Sequence, residues 1–120
     1  LKEVVNNPET HADFRCNLSA MTAVYLIRDT QTSKLYVGSA DGEEGVWGRW
    51  SDYVNTGGTG GNKGLEEHLH MHGREHCKHF CFSLLHVTPR GTPRLQVLQA
   101  EAYYKRILGT CNSSTGLNCN

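Results

Sequence analysis

Thr22 to Gly38 reads TAVYLIRDTQTSKLYVG. Thr22 to Arg28 is rich in β-branched and aromatic residues, which suit a pleated, half-buried surface. Asp29-Thr30-Gln31-Thr32-Ser33 is a cluster of turn formers. Lys34 to Gly38 is a second short strand of the same character. Two such runs joined by five polar residues predict an antiparallel hairpin. It sets a tyrosine on each strand, Tyr25 and Tyr36.

The rest of the chain predicts elements that cover this hairpin. Asp41 to Gly45 reads as a loop. A helix follows over Val46 to Asn55, with Val46, Trp50 and Tyr53 or Val54 on one face. Thr56 to Gly61 holds four glycines, which end that helix. Asn62 is a candidate cap for a helix to about Met71, with Leu65 and Leu69 on its inner face. Phe80 to Val87 is a third strand. Thr92 as N-cap and Pro93 at the first helical position start a last helix, which ends near Leu108 with Gly109 beyond it. The order β-β-α-α-β-α predicts an α+β fold: a small three-stranded antiparallel sheet flanked by helices. Residues 22–120 are expected to form one domain. Residues 1–21 are expected to be an N-terminal extension packed on it.

Composition excludes whole classes. The chain has 120 residues, of which 38% are hydrophobic and 20% charged. That is one core's worth of sequence and neither a disordered nor a collagen-like chain. No apolar run reaches the roughly 18 residues of a membrane span. Net charge is zero, from 12 basic and 12 acidic residues, so the average gives no sign of a nucleic-acid partner. The distribution is uneven. Residues 1–60 carry eight acids and five bases, residues 61–120 four acids and seven bases. The bland reading of that asymmetry is counting noise, and the sharper one is a local cationic surface on a neutral protein. Five cysteines, an odd count with no leader, are expected to be reduced thiols in a cytoplasmic protein. The absence of an initiator Met is expected to mark a trimmed chain or fragment, which leaves open whether flanking domains are lost.

Several side chains have chemistry that structure alone does not require. Glu101 shares a helix stripe with Val97, Leu98 and Leu108, where a carboxylate is costly unless paired or metal-bound. Its bland reading is a Glu at the edge of the stripe that snorkels to water. Its functional reading is a hard-cation ligand or an acid/base group, and a single carboxylate suits Mg²⁺, which keeps most of its waters. Arg49 lies mid-helix with Tyr53 four residues on, and a guanidinium suits phosphate. His68, His70, His72, His76, Cys77, His79 and Cys81 crowd fourteen residues with zinc-competent types. Their bland reading is partly solvated histidines with Cys81 facing the core. The alternatives are a zinc site or a pH-sensitive DNA-contacting surface.

In order, Val24-Tyr25-Leu26, Leu35-Tyr36-Val37-Gly38, Gly48-Arg49-Trp50 with Tyr53, Glu101 and Gly116-Leu117-Asn118 resemble the GIY-YIG nuclease family over about 22–118. Tyr36 to Ala40, Trp47 to Trp50 and Gly60 to Lys63 look like a bacterial stand-alone branch of it. Ala23 stands where the first motif usually has Gly, and Tyr53 where many members have His. The resemblance implies an endonuclease that hydrolyses a DNA phosphodiester with one divalent metal, Mg²⁺ or Mn²⁺, held by Glu101. Arg49 would offset charge on the phosphate. Tyr25, with a slight lead over Tyr36, would deprotonate or orient the attacking water, helped toward phenolate by Arg49 and the metal. Tyr53 would bond a catalytic tyrosine or the phosphate, and Asn118 would brace the site from the tail. Lys63, Lys105 and Arg106 are candidate contacts to the DNA backbone. Relatives serve in homing, restriction and excision repair, so the resemblance leaves the role open. The short chain implies weak intrinsic sequence specificity, or specificity supplied by a partner, a homodimer or a lost flank. The alternative is a non-cleaving DNA-binding or zinc-binding interaction module on the same fold.

Overall fold

The computed structural model describes residues 17–42, 44–58, 60–112 and 114–118. The hairpin forms as β1 (Met21–Asp29) and β2 (Leu35–Ala40). They pair antiparallel, with Tyr25 opposite Gly38 and Ile27 opposite Tyr36. The turn closes through Ser33, whose backbone N–H donates to the Asp29 carbonyl at 2.8 Å. β3 (Phe80–Pro89) pairs with the other side of β1, giving the order β2-β1-β3. A bulge between Val24 and Tyr25 shifts that register. Ala23, at the position of the family's usual Gly, is an ordinary ladder residue opposite Ala40 and Val87.

Alternation along β1 assigns the two faces. Ala23, Tyr25 and Ile27 join Tyr36, Trp47, Trp50, Tyr53 and Leu65 in the core. The last four come from α1 (Gly45–Asn55) and α2 (Lys63–His72). Val24 lies beside Gln96 and Val97 of α3 (Arg94–Leu108). Val97 is the one residue that α3 buries fully among the described residues. The Asn62 side chain accepts from the Leu65 N–H at 3.2 Å, so the predicted cap forms. Gly109 takes the left-handed cap of α3 at φ 64°.

Three expectations change. A 3₁₀ helix, Arg74–His79, stands between α2 and β3. Pro93 rather than Thr92 occupies the cap of α3, because the Thr92 hydroxyl donates to the Pro89 carbonyl at 2.7 Å and closes the preceding turn. Cys81 is exposed, because its position on the edge strand β3 points away from the core. Cys77, Cys81 and Cys111 are free thiols among the described residues. Of the expected extension over 1–21, residues 1–16 lie outside the described residues, Leu18 packs in the core, and Met21 begins β1. No described helix is long and apolar enough to cross a membrane.

Candidate active site

Arg49 sits at the middle of α1 and turns its half-buried side chain toward the sheet. Its Nε donates to the Tyr25 hydroxyl at 3.3 Å and one terminal nitrogen to the Tyr53 hydroxyl at 3.4 Å. The other donates to the Gly60 carbonyl at 3.3 Å. The guanidinium also stands 4.8 Å from the centre of the Tyr53 ring. Tyr25 and Tyr53 share a 2.7 Å hydrogen bond. An aromatic cluster supports them: Trp50 packs edge-on to Tyr25, and Phe82 to both Trp50 and Tyr53.

Two glycines make this packing possible. Gly38 faces Tyr25 across the ladder, and a Cβ there would lie 2.5 Å from the Tyr25 hydroxyl oxygen. Gly60 has φ +56° and a Cβ would meet the Tyr53 ring at 2.6 Å. Its carbonyl is thereby free to turn to Arg49.

Tyr36 extends the group at the β2 edge. Its hydroxyl accepts from the Asn62 side-chain amide at 3.1 Å. Burial, then the neighbouring Tyr53, push its phenol well above the ordinary range, and the carboxylate of Glu101 adds to that. Glu101 therefore lies within electrostatic reach of Tyr36. Lys105 Nζ pairs with Glu101 Oε2 at 3.1 Å, both side chains being largely buried. Burial pushes the Tyr25 phenol up to about 12; its bond to Tyr53 and the charge of Arg49 pull the other way and are outweighed.

Asn118 braces this edge from the tail. Its side-chain oxygen accepts from the Val37 N–H and its amide donates to the Val37 carbonyl, each at 2.9 Å. The tail also bonds Leu35 on both sides, through Thr115 and Leu117, so the outer edge of β2 is covered.

In comparison with solved structures, the chain matches the catalytic domain of the homing endonuclease I-TevI. Identity is 24%, over 82% of this chain and 98% of that one, with a TM-score of 0.59. A variant of the same domain in which one glutamate is alanine matches at 23% identity over 83% and 94%, with a TM-score of 0.60. The chain has the GIY-YIG fold. No family model matches it. No curated protein matches it either.

On this fold Tyr25, Tyr36, Arg49, Tyr53 and Glu101 gather about one edge of the sheet, with Asn118 behind them. Lys63 is exposed at the start of α2, beside Asn62. Arg106 is exposed on α3 with its guanidinium 5.7 Å from the Tyr103 ring. Lys105 differs from expectation: its charge is directed at Glu101 rather than presented to solvent. Sequence reasoning missed Asn62 as a Tyr36 partner and Gly60 as an Arg49 acceptor. The glycine cluster was the available signal for Gly60. Asn62 was legible only as a helix cap.

Proposed function

We propose that the chain is a divalent-metal-dependent DNA endonuclease. The observation that carries the reading is the fixed guanidinium of Arg49, held by Tyr25, Tyr53 and Gly60. A planar cation locked in place before substrate arrives meets the growing negative charge of a phosphoryl transition state without reorganisation.

Glu101 fits a hard cation: it is a largely buried oxygen donor beside Tyr36, on the helix next to the sheet edge. Mg²⁺ or Mn²⁺ bound there supplies Lewis-acid activation of the phosphate and a stabilised leaving oxygen. Tyr36 orients the attacking water, its hydroxyl fixed by Asn62. Tyr25 is a positioning residue that acts through Arg49, since its side chain has no exposed surface. Lys63 and Arg106 contact backbone phosphates, giving affinity without sequence information. Specificity then comes from a second copy, a partner or another domain. The free thiols suit a cytoplasmic setting.

One observation favours a second reading. The Lys105 ammonium already neutralises Glu101, as in a DNA-binding module that does not cleave. Plasmid nicking with Mg²⁺ or Mn²⁺ separates the two. Wild type is expected to nick, and Glu101→Ala to lose at least about 100-fold in rate. Equal product from wild type and Glu101→Ala under every metal would sink the catalytic reading.

A further inference from the structure

Away from Arg49, three donors from three elements converge. Asp29 ends β1, His68 lies in α2 and His76 in the 3₁₀ helix. Nε2 of each imidazole lies 2.5 Å from Asp29 Oδ2. The three donor atoms lie within 4.8 Å of one another. The side chains are 0%, 3% and 11% exposed, in that order, so water competes poorly for them. Asp29 is four residues beyond Tyr25 on β1, or about 13 Å along an extended strand. This cluster is therefore separate from the Arg49 site.

A hydrogen-bonded triad accounts for part of this geometry. Two neutral imidazoles donating to one carboxylate oxygen form a satisfied buried group. Two features exceed what a core hydrogen bond needs. Asp29 Oδ1 accepts the backbone N–H groups of Gln31 at 2.8 Å and Thr32 at 3.2 Å. The carboxylate is thus held with Oδ2 aimed at both rings, as outer bonds orient metal ligands. More imidazoles surround the pair. The His72 ring is 4.5 Å from His68 and 4.9 Å from His76, and His79 is 5.1 Å from His76. Two imidazoles on one carboxylate, with two more packed against those rings, form a pool of nitrogen donors.

We propose that Asp29, His68 and His76 bind one zinc ion, with His72 the nearest further imidazole for the fourth position. Imidazole with carboxylate suits zinc, whereas magnesium prefers oxygen donors alone. Donors on a tetrahedral zinc stand about 3.3 Å apart, given metal–ligand distances near 2.0–2.1 Å. The present 2.5 Å separations need to open by less than about 1 Å. The ion takes the place of the two Nε2 hydrogens at Asp29, each neutral ring then carrying its hydrogen on Nδ1, and ties the end of β1 to α2 and the 3₁₀ helix. The cysteines have no part in it: Cys77 and Cys81 are not among the converging donors.

The test is zinc titration of protein purified without an affinity tag and stripped with EDTA. Binding is followed by calorimetry, and cobalt substitution by visible absorbance. With magnesium in excess, about one zinc per chain and a raised melting temperature are expected. Asp29→Asn and His76→Gln should each weaken zinc binding more than about 100-fold and abolish the tetrahedral cobalt bands. His70→Ala, an exposed histidine of the same helix, should bind as wild type does. Glu101→Ala should also bind as wild type, which separates this ion from the one in the nuclease reading. If either ligand variant fails to fold, the other and the wild-type stoichiometry still decide. Wild-type zinc binding no tighter than in His76→Gln overturns the site, as does binding that Glu101→Ala removes.

Discussion

The phenol of Tyr25 has no exposed surface, and its hydroxyl is shared between Tyr53 and Arg49. Its sequence reading expected Arg49 and a metal to favour phenolate. The guanidinium does pull that way, yet burial is the larger influence and the group rises from 10.0 to about 12. The sequence placed the charge beside the phenol but not the depth at which both lie. The sign for stability follows. Between pH 10 and about 12 the unfolded chain has lost this proton while the folded chain keeps it. Folding then binds more protons than the unfolded state does, so stability falls as pH rises through that window. Below pH 10 the contribution is fully present. Urea unfolding at pH 9 and pH 11 should therefore give a lower midpoint at pH 11. In Tyr25→Phe that pH dependence should shrink. An unchanged difference between wild type and variant would assign the alkaline loss to other groups.

At the scale of elements, β2 carries Tyr36 at the edge of the site and is held on both sides by small features. Gly38 leaves room for the Tyr25 ring, and a Cβ at 2.5 Å from its hydroxyl has nowhere to go without moving the ring. Gly38→Ala should therefore cost about 1–3 kcal/mol in denaturant unfolding. Because the Tyr25 hydroxyl also holds Arg49, nicking should fall by more than the stability loss explains. Asn118 acts on the other side of the strand. Val37 is fully buried, and both its backbone groups are satisfied by that one amide. Asn118→Ala should cost about 1–3 kcal/mol, the usual penalty for orphaning buried polar groups. A loss below about 0.5 kcal/mol would mean that water replaces the amide there. Asn118 stood out in the sequence only through its place after Gly116 and Leu117; its bonds span 81 positions, which no local pattern encodes. The hairpin, by contrast, was legible from turn chemistry and strand composition. So were α1 and α2, from apolar spacing and a cap. The 3₁₀ helix was not, because Arg74 to His79 has no apolar period. Asp29 reads as a turn former, and nothing local in the sequence shows that its carboxylate meets His68 and His76.

At the scale of the molecule, the neutral net charge says little about the site, since only charges near the sheet edge bear on a phosphate. Arg49 supplies one, half-buried, with Asp52 3.8 Å away. Asp41, Glu44 and Asp52 line the crevice beside it. In the proposed reading Lys63 and Arg106 supply two more. Lys105 does not count, because Glu101 consumes its charge. About three phosphates neutralised gives a slope of log affinity against log salt near −3 for duplex DNA. Lys63→Ala should flatten that slope by about one. Lys105→Ala should leave it nearly unchanged, and the two variants together separate a presented cation from a paired one. Fluorescence anisotropy with a short labelled duplex over a salt series, with calcium in place of magnesium to hold back cleavage, measures all three. A wild-type slope beyond about −6 would mean more phosphates neutralised than Arg49, Lys63 and Arg106 can supply, and would place the binding surface elsewhere than on the edge that carries Arg49.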